Sequence, residues 1–493
     1  MQEAHIRSIF GLKLRQLREA KKFSLFGLSK KTGLSKSYLN EIEKGKKYPK
    51  TDKVLVLAKA LEVEYDELVS LKLSGKMAPV AEMIQSGILE EIPLNLFGME
   101  EQQLIDIMVS APDKVNAFIS TMFELARQHN VSRDKFFLAA LRSYQELHHN
   151  YFKELELKAE ATAQKYQLRN EGKLELPILE ELLQDEFNYQ IDRETLKGRD
   201  DLPAVRSVFV PGKRPKLLID PATNEWQQIF LLAKELAFVE LGITQRPATF
   251  TWIDFDHFEE VLNNFYASYF AGALVIPEQV LKADLQHFFQ QPRWDPNLLQ
   301  ELLKKYTSSA ETLFQRLTNV LPGHFGLDNL FFLRFESPTA EEEYHLSKEL
   351  HLSRQHQPHA TERDEHYCRR WLSLDILKNP DRYQQGEQAL GVQISRYPRS
   401  KDEYLVFSVR QPDLFKSNYY RSLTIGLSLD KKLKRQVKFI QDSKIPVREV
   451  SVTCENCPIQ DCQERAVPDT KLRLEQQQAY IKAEVTKLQE SFS

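Results

Sequence analysis

Three of the four cysteines in the chain lie within nine residues of one another. Cys454, Cys457 and Cys462 have the spacing C-x2-C-x4-C, and the fourth thiol, Cys368, lies far upstream. Thiolates bind zinc or iron–sulfur clusters, and three of them in one short loop can converge on a single centre. Structural zinc sites commonly use two C-x2-C pairs, of which only one is present, whereas an iron–sulfur cluster accepts three local cysteines and a distant fourth. We predict a metal centre on all four cysteines, with an iron–sulfur cluster, zinc and reduced free thiols as the alternatives.

Strand-like segments surround these cysteines. The runs LFFLRF at 330–335, YLVFSV at 404–409 and RSLTIGL at 421–427 are rich in β-branched and aromatic residues, which favours strands. They predict a mixed α/β sensory domain over about 325–470. The histidine-rich stretch 351–366 lacks helical i, i+4 pairing and predicts an exposed polar loop. The sequence beyond Lys471 predicts a charged amphipathic helix that makes a packing or oligomer contact.

The first 70 residues predict a series of short helices. Ile6, Phe10, Leu14 and Leu17 form one apolar face of a first helix. Ser24 can cap a second helix over 25–31, and the following Gly33 permits a tight turn. Ser35 can cap a third helix over 36–44, which Gly45 ends, and Thr51 or Asp52 opens a fourth. Two short helices joined by a glycine turn are the pattern of a helix-turn-helix.

This segment resembles the phage-repressor-like (XRE/Cro-type) helix-turn-helix family across nearly its whole length. The matching residues are Leu28, Gly33, Ser35, Ser37, Tyr38, Ile42, Glu43, Gly45 and Pro49. The resemblance implies double-stranded DNA as partner and a homodimer on a pseudo-palindromic operator. Phe26 departs from the glutamine that many members carry near this position, which puts one phosphate contact in doubt. The residues expected to read bases are Ser35, Lys36, Ser37 and Asn40, and those expected to bind phosphates are Arg15, Lys44 and Lys46.

The stretch from Ser132 to about Arg169 contains neither glycine nor proline. It is rich in alanine, leucine, glutamate and lysine, which are strong helix formers. We predict one helix of about 35 residues, roughly 50 Å long. It would be either a buried scaffold helix or a dimerisation and signal-transmitting helix.

Residues 207–221 predict a β-hairpin with a Pro-Gly-Lys turn, followed by helices over 225–241 and 258–276. This arrangement resembles the ImmA/IrrE-like zinc peptidases that accompany phage-like repressors, in which His-Glu-x-x-His on the first helix binds zinc. Lys234 and Phe238 stand at the two histidine positions here, only Glu235 remains, and Asn264 falls near the expected carboxylate ligand. Because lysine is cationic and phenylalanine has no donor atom, we predict a degenerate core with no catalytic residues.

A helix-turn-helix domain followed by a degenerate peptidase-like core and a cysteine cluster resembles the short-chain fatty acyl transcriptional regulators of bacteria. That resemblance implies control of acetate, propionate and glyoxylate metabolism, short-chain acyl-CoA as effector, and a [4Fe–4S] cluster on the cysteines. An acyl-CoA site requires cations for phosphates and an apolar slot for the acyl chain. The candidates are Lys213, Arg214 and Lys216 in the hairpin, and Tyr266 and Tyr269 on the second helix. The alternatives are a repressor-linked zinc peptidase and an antitoxin-type or stress-response repressor whose body binds a protein.

The formal net charge of −3 over 493 residues hides an asymmetry. Residues 1–72 hold 16 Lys+Arg and 9 Asp+Glu, a balance of +7, and the remainder holds 51 and 61, a balance of −10. A basic segment on an acidic body predicts a polyanion-binding module joined to a different function. No membrane span or export signal is expected, and four cysteines are too few for a disulfide framework, so we predict a cytoplasmic protein.

The predicted fold class is mainly α with α/β parts. The predicted domains are the helix-turn-helix at 1–72, a helical linker with a long connector helix at 73–184, a degenerate peptidase-like α+β core at 185–325, and an α/β sensory domain at 326–493.

Overall fold

The computed structural model describes residues 3–70, 133–170, 172–199, 201–202, 205–249, 257–306, 309–338, 343–352, 365–385, 388–413 and 418–491, together with residues 98, 103, 255 and 416. The chain divides into two compact units. Unit 1 comprises residues 1–144 and 255–259, and unit 2 comprises residues 145–254 and 260–493. The predicted class, mainly α with α/β parts, is confirmed.

Five helices form the N-terminal segment of unit 1. They are α1 (Glu3–Ala20), α2 (Leu25–Thr32), α3 (Lys36–Glu43), α4 (Thr51–Leu61) and α5 (Tyr65–Val69). The predicted caps are present: the Ser24 side chain accepts a hydrogen bond from the Gly27 backbone N–H, and Gly33 adopts a left-handed φ of 70° after α2. Leu14, Leu28 and Leu39 lie in one apolar core with residues of α4 and α5. Local capping therefore sets where the helices end, and the apolar stripes pack them together.

The long connector helix predicted over 132–169 is wrong. The structure has two helices, α6 (Arg133–Leu147) and α7 (Lys153–Lys165), separated by a break at 148–152. His149 and Asn150 adopt positive φ angles of 50° and 51°. The buried Asn150 side chain donates to Thr318 Oγ1 at 2.9 Å, and Asn319 donates to the Asn150 carbonyl at 2.9 Å. Hydrogen bonds to residues nearly 170 positions away therefore override the local helix propensity. Most of the preceding linker, 71–132, lies outside the described residues.

The peptidase-like part of unit 2 combines a small sheet with two central helices. A short hairpin, β1 (Arg169–Asn170) with β2 (Lys173–Leu174), and α8 (Leu176–Asp185) precede this sheet. Strand β5 (Lys216–Ile219) pairs in parallel with β3 (Gln190–Asp192) and antiparallel with β4 (Ser207–Val210), which confirms the predicted hairpin. The helices α9 (Glu225–Glu240) and α10 (Phe258–Val275) follow close to their predicted bounds. Ala233, Leu236 and Ala237 of α9 pack with Ala267 and Phe270 of α10, so these helices share one core.

Three helices and a π-helical turn link this part to the last sheet. They are α11 (Glu278–Phe289), α12 (Pro296–Tyr306), α13 (Ala310–Val320) and the turn Leu321–Phe325.

The C-terminal part of unit 2 is built on a seven-stranded mixed sheet. The strands, in chain order, are β6 (Leu330–Pro338), β7 (His345–His351), β8 (Gln384–Gln385), β9 (Gln388–Tyr397), β10 (Asp402–Pro412), β11 (Tyr419–Ser428) and β12 (Val447–Glu449). The spatial order is β12-β9-β10-β11-β6-β7, with β8 paired to β9. All three strand-like runs of the sequence are strands of this sheet.

Both faces of this sheet are covered. On β10, Leu405, Phe407 and Val409 pack against α11–α13, whereas Tyr404 and Val406 point to the other face. That second face carries α14 (Leu372–Lys378) and the buried Cys368. Alternation along the strand therefore explains how one strand contributes to two cores.

Two elements complete unit 2, and one expectation needs correction. After α15 (Lys431–Gln436), the chain ends in the predicted charged helix, α16 (Thr470–Ser491). His351, expected in an exposed loop, ends strand β7 and is buried. Residues 353–364 of that predicted loop lie outside the described residues. Among the helices that the structure describes, none has the length and apolar composition needed to cross a membrane.

Candidate functional site

The exposed face of α3 presents the side chains predicted to read bases. Lys36 and Ser37 are exposed, and Asn40 is half-buried one turn further along. Ser35 is the N-cap of α3: its hydroxyl oxygen accepts the Tyr38 backbone N–H at 3.1 Å. The hydroxyl of Ser35 thus has a structural role as well as a position at the helix N-terminus, where a recognition helix meets base edges.

The predicted phosphate-contacting residues surround this face. Lys44 and Lys46 are exposed just beyond the end of α3. Arg15 is half-buried on α1 and pairs with Glu19 at 3.1 Å. Phe26, the departure from the family pattern, is 58% exposed on α2. The Lys30 amine lies 4.8 Å from the centroid of the Phe26 ring, so a cation contacts the face of this aromatic side chain.

A buried ion pair that the sequence did not indicate joins α1 to α3. Arg18 donates through Nε and Nη2 to the two carboxylate oxygens of Glu43, at 2.6 and 2.9 Å, and through Nη1 to the Phe23 carbonyl at 2.8 Å. A bidentate pair of this kind fixes geometry as well as charge. It therefore holds α3 against α1, and the exposed face of α3 is positioned by this contact.

In the peptidase-like core, the two residues that replace zinc ligands on opposite helices bind each other. Lys234 Nζ on α9 donates to Asn264 Oδ1 on α10 at 2.6 Å. Desolvation lowers the pKa of Lys234 well below its ordinary value, because α9 buries this side chain almost completely. The pair therefore joins the two helices that would otherwise share a metal ion.

Glu235, the one surviving residue of the peptidase pattern, is held by an arginine. Its carboxylate accepts both terminal nitrogens of Arg246, one at 2.7 Å, and the hydroxyl of Tyr189 at 3.2 Å. The Arg246 guanidinium lies between the rings of Phe209 and Phe238, 3.9 and 3.8 Å from their centroids. Phe238 thus replaces a metal ligand with a stacking surface for the cation that neutralises Glu235. A carboxylate bound in this way is not arranged to activate a water molecule.

Next to this core lies a charge cluster that the sequence reading missed. Glu311 on α13 accepts Arg334 Nη1 of β6 at 3.1 and 3.2 Å and Lys348 Nζ of β7 at 3.4 Å. Arg421 of β11 pairs with Asp413 at 2.6 Å. Three further members lie around these: Arg206 before β4, Glu336 on β6 and Lys416. We call these eight residues the Glu311 cluster.

The Glu311 cluster carries an excess of positive charge. Among the described residues it brings five cations against three carboxylates. Desolvation would raise the pKa of Glu311, but Arg334, Lys348, Arg421 and Arg206 together lower it well below its usual range. Desolvation also lowers the pKa of Lys348, whose side chain nevertheless remains 46% exposed. The cluster thus combines the solvent-accessible Lys348 and Lys416 with the mostly buried Arg334 and Arg421, as expected at a site for an anion.

The residues predicted to bind acyl-CoA lie in different surroundings. Lys213, Arg214 and Lys216 are exposed at the hairpin between β4 and β5. Tyr269 is buried, and its hydroxyl donates to Glu156 Oε1 at 2.6 Å and accepts the Phe152 backbone N–H at 3.1 Å. Burial raises the pKa of this hydroxyl. Tyr266 is half-buried.

The Tyr269 hydroxyl belongs to a structural network. Arg316 donates to both Glu156 oxygens at 2.6 Å and to the Ile276 carbonyl at 2.9 Å. This buried pair joins α7 to α13, so the hydroxyl of Tyr269 helps to connect elements of the fold. The ring of Tyr269 is buried as well, with its centroid 5.4 Å from that of Phe152 and 6.1 Å from that of Phe265.

The structure brings the upstream cysteine to the cysteine-rich loop. The Cys368 backbone N–H donates to the Val452 carbonyl at 3.0 Å, and the Cys454 N–H donates to the His366 carbonyl at 2.8 Å. Cys368, Cys454 and Cys457 are buried, and Cys462 is half-buried. The pKa of Cys368 is raised to about 12, mainly by burial and in smaller part by the nearby Cys457 and Cys454 thiols. The four thiols therefore occupy one region although 83 residues separate Cys368 from Ser451, where the loop begins.

The donor set fits a thiolate-bound centre in its chemistry. Cys368 Sγ accepts the Ser451 backbone N–H at 3.4 Å and Cys454 Sγ accepts the Ala466 N–H at 3.4 Å, which are contacts that stabilise a thiolate. Arg465 donates to the Cys454 carbonyl at 3.1 Å and braces the loop. Within the described ranges, however, no three Cys, His, Asp or Glu side chains are arranged to hold a metal ion.

Comparisons with known proteins identify two domains. Residues 14–68 match the helix-turn-helix family model, and residues 191–318 match the IrrE N-terminal-like domain of the M78 peptidase family. The chain is a DNA-binding helix-turn-helix regulator with an IrrE-like domain.

Two solved structures resemble the regulator. A Mycobacterium tuberculosis transcriptional regulator is 18% identical over 66% of this chain and 92% of its own, with a TM-score of 0.47. The restriction-modification controller protein C.AhdI from Aeromonas hydrophila is 39% identical over 13% of this chain and 94% of its own, with a TM-score of 0.12. No curated protein sequence matches the regulator.

The matched ranges divide the regulator's candidate sites. The α3 face lies in the helix-turn-helix match, and Lys234, Glu235, Arg246 and Glu311 lie in the IrrE-like match. The four cysteines lie beyond both matches. Each matched range falls within one predicted domain, 1–72 or 185–325, and the predicted boundaries themselves remain predictions.

Proposed function

We propose that the regulator binds a pseudo-palindromic operator as a homodimer in the cytoplasm and controls genes of short-chain acyl-CoA metabolism. The observation that carries the proposal is the capped α3 helix, with exposed Lys36 and Ser37 and the lysines Lys44 and Lys46 at its end. Side chains at the start of such a helix meet base edges, and cations around it meet phosphates. The genes that it controls are those of acetate, propionate and glyoxylate metabolism, as the family resemblance implies.

The effector in this proposal is a short-chain acyl-CoA. Its phosphates require several cations, and the Glu311 cluster supplies an excess of them beside the degenerate peptidase core. The positive charge of Lys348 helps to lower the pKa of Lys234, so the peptidase-like core lies near the cations of this cluster. The hairpin cations Lys213, Arg214 and Lys216 are the competing location for the phosphates. In either location, acyl-CoA binding favours one arrangement of the body and thereby changes operator affinity.

The cofactor in this proposal is a [4Fe–4S] cluster, with zinc as the alternative. Cys368, Cys454, Cys457 and Cys462 would hold it, and a bound cluster would supply redox sensitivity. The chain's own contribution is the pair of N–H donors on Cys368 and Cys454 and the bracing of their loop by Arg465.

The regulator in this proposal has no peptidase activity. The position of the general base is taken by the Glu235–Arg246 pair, and the metal-ligand positions are taken by Lys234, Phe238 and Asn264. Stoichiometric zinc on these residues together with proteolysis would contradict this part of the proposal.

DNA binding is tested by selecting operator fragments with the full-length protein and measuring affinity against salt. Asn40→Ala should cost about 1–3 kcal/mol on the selected site and relax preference at one base pair. Lys46→Ala should weaken binding to all sequences and reduce the salt slope by about one. Lys197→Ala, an exposed lysine in unit 2, is the control. The proposal fails if Asn40→Ala and Lys46→Ala give the same uniform loss.

Effector binding is tested by titrating acetyl-, propionyl- and longer acyl-CoAs into the operator complex. Lys348→Glu and Arg334→Gln should abolish the response while leaving operator affinity without ligand unchanged. Lys213→Glu with Arg214→Glu tests the competing hairpin location. A response that survives all four substitutions, or a flat titration with the wild type, contradicts the acyl-CoA proposal.

The cofactor is tested by anaerobic purification with analysis of iron, sulfide and zinc. The proposal expects iron and sulfide in equal amounts and a visible absorbance that Cys457→Ser removes. Stoichiometric zinc with neither iron nor sulfide would instead select the zinc alternative.

A further inference from the structure

The C-terminal helix α16 leaves a row of apolar side chains exposed. Leu474, Ile481, Val485 and Leu488 are 55, 53, 48 and 59% exposed. The one buried residue described on this helix is Leu472, near its start. Exposed apolar residues that occur singly need no explanation, but here four of them lie along one face of a 22-residue helix. Such an alignment is typical of a surface that contacts another chain or element.

The spacing of the row is that of a coiled coil. Leu474, Ile481 and Leu488 recur every seven residues, and Val485 lies four residues after Ile481. In heptad terms the first three occupy d positions and Val485 an a position, which are the positions that form the apolar seam of a coiled coil. Gln478 occupies the preceding a position, and a single polar residue at such a position can specify the register of a helix pair at a cost in stability.

The charges beside the row indicate which way a partner helix runs. Glu475 and Lys482 both occupy e positions of this heptad assignment. In an antiparallel pair of identical helices, e positions face each other, so Lys482 of each copy meets Glu475 of the other. A parallel pair instead sets Lys482 against Gln477 and Glu484 against Gln489, which forms no ion pair. Glu475 now pairs with Arg399 at 2.6 Å, and both side chains are more than half exposed, so solvent screening makes this pair easy to exchange.

We propose that α16 is a dimerisation helix, which pairs antiparallel with α16 of a second copy of this chain. This inference rests on the proposed function in one respect, because two helix-turn-helix domains are needed on a two-fold operator. The second copy is the occupant because the same face supplies both the apolar row and its own complementary charges.

The first test measures the mass of the full-length protein by sedimentation velocity. At micromolar concentration the wild type should sediment as a dimer, with twice the chain mass of 57.5 kDa. Ile481→Glu and Val485→Glu should each weaken the dimer about a hundredfold, because a charge replaces an apolar side chain that the second helix buries. Tyr480→Glu, which alters an equally exposed residue off the row, should leave it intact. Circular dichroism and the unfolding midpoint confirm that each variant is folded, as expected for exposed positions.

The second test uses charge exchange to read the orientation. Lys482→Glu alone and Glu475→Lys alone should each weaken the dimer about tenfold at low salt, because each creates two like-charge contacts. The double variant Lys482→Glu/Glu475→Lys should restore it. A monomeric wild type, a dimer that ignores Ile481→Glu, or a double variant that stays weak would overturn the proposal.

Operator binding separates this inference from the proposed function. A monomeric Ile481→Glu variant that still binds a single half-site retains the proposed function and supports the role of α16. If the wild type is a dimer that Ile481→Glu converts to a monomer, but it binds no DNA, the result supports the dimerisation helix and refutes the operator proposal.

Discussion

At the residue scale, the degenerate peptidase core replaces each lost contact with a new one. Lys234 Nζ on α9 donates a hydrogen bond of 2.6 Å to Asn264 Oδ1 on α10. Glu235 is neutralised by Arg246, which stacks between two phenylalanine rings. The core thus keeps the bridges between its helices although its metal-ligand residue types are gone. Two substitutions test whether these contacts carry the stability of the core.

Removing Arg246 should be strongly destabilising. Arg246→Met leaves the Glu235 carboxylate buried without its cation, and breaking such a pair typically costs about 3–5 kcal/mol. The measurement is the free energy of unfolding of unit 2 in urea. The control is Arg199→Met, whose partner Asp201 is 63% exposed and which should produce no measurable change. Equal unfolding curves for the wild type and Arg246→Met would show that the pair is not structural.

The buried Lys234 should make stability depend on pH. Because its pKa is lowered in the folded state, the unfolded chain binds more protons, and stability rises as pH increases toward the unfolded pKa of about 10.4. The unfolding free energy of the wild type minus that of Lys234→Met should become more positive as the pH rises from 7 to 10, by up to about 1.4 kcal/mol per pH unit. The same difference measured for Lys197→Met, an exposed lysine, should remain flat. A flat difference for Lys234→Met would contradict the burial of this cation.

At the element scale, the position of α3 depends on close contact with α1. Gly11 lies where a Cβ atom would be 2.2 Å from the Ile42 carbonyl and 2.9 Å from that of Glu43. The Arg18–Glu43 pair joins the same two helices two turns further along α1. A residue without a side chain is therefore required at position 11 for the two helices to approach, and α3 owes its orientation to this approach.

The Gly11→Ala variant should separate the two helices. The added methyl group meets backbone rather than a movable side chain, so a loss of about 1–3 kcal/mol in the stability of the N-terminal domain is expected. Operator affinity should fall with it. Gly27→Ala in α2 is the matched control, because its Cβ would meet Ser24 Oγ at 3.4 Å and alanine favours helix. A fully stable Gly11→Ala protein would mean that α1 and α3 are further apart.

At the scale of the whole molecule, the charge is distributed unevenly between the N-terminal segment and the remainder of the chain. The balance of +7 over residues 1–72 suits DNA, whereas the acidic remainder, with a balance of −10, encloses a local excess of cations in the Glu311 cluster. Net charge alone conceals both features. The cations of the Glu311 cluster lie on elements that are far apart in the sequence, so the excess exists only in the folded chain.

A ligand of this cluster should stabilise the fold that creates it. Binding to the native state alone adds RT ln(1 + [L]/Kd), or about 2.7 kcal/mol at a hundred times Kd. The unfolding midpoint of the full-length protein should therefore rise with propionyl-CoA concentration, and Lys348→Glu should remove the rise. Lys197→Glu serves as control and should keep it. A midpoint that rises equally in Lys348→Glu would place the ligand elsewhere.

The helix ends, the strands and the loss of the zinc ligands could be read from the sequence. Ser24, Gly33 and Ser35 cap helices through groups within a few residues, and the strand at 404–409 is indicated by its β-branched and aromatic residues. Lys234 and Phe238 are residue types that do not bind zinc, so the prediction of a core without a catalytic metal needs no tertiary information. All of these features depend on local chemistry, which neighbouring residues express without help from the rest of the fold.

Only the tertiary structure decided where the chain breaks its helices and which charges meet. The turn at Asn150 is held by Thr318, and the Glu156 carboxylate is bound by Arg316, 160 residues away. Arg246 reaches Glu235 because β4 and α9 place aromatic rings on either side of it. Such contacts have no sequence signature, since folding brings together residues whose spacing along the chain obeys no period.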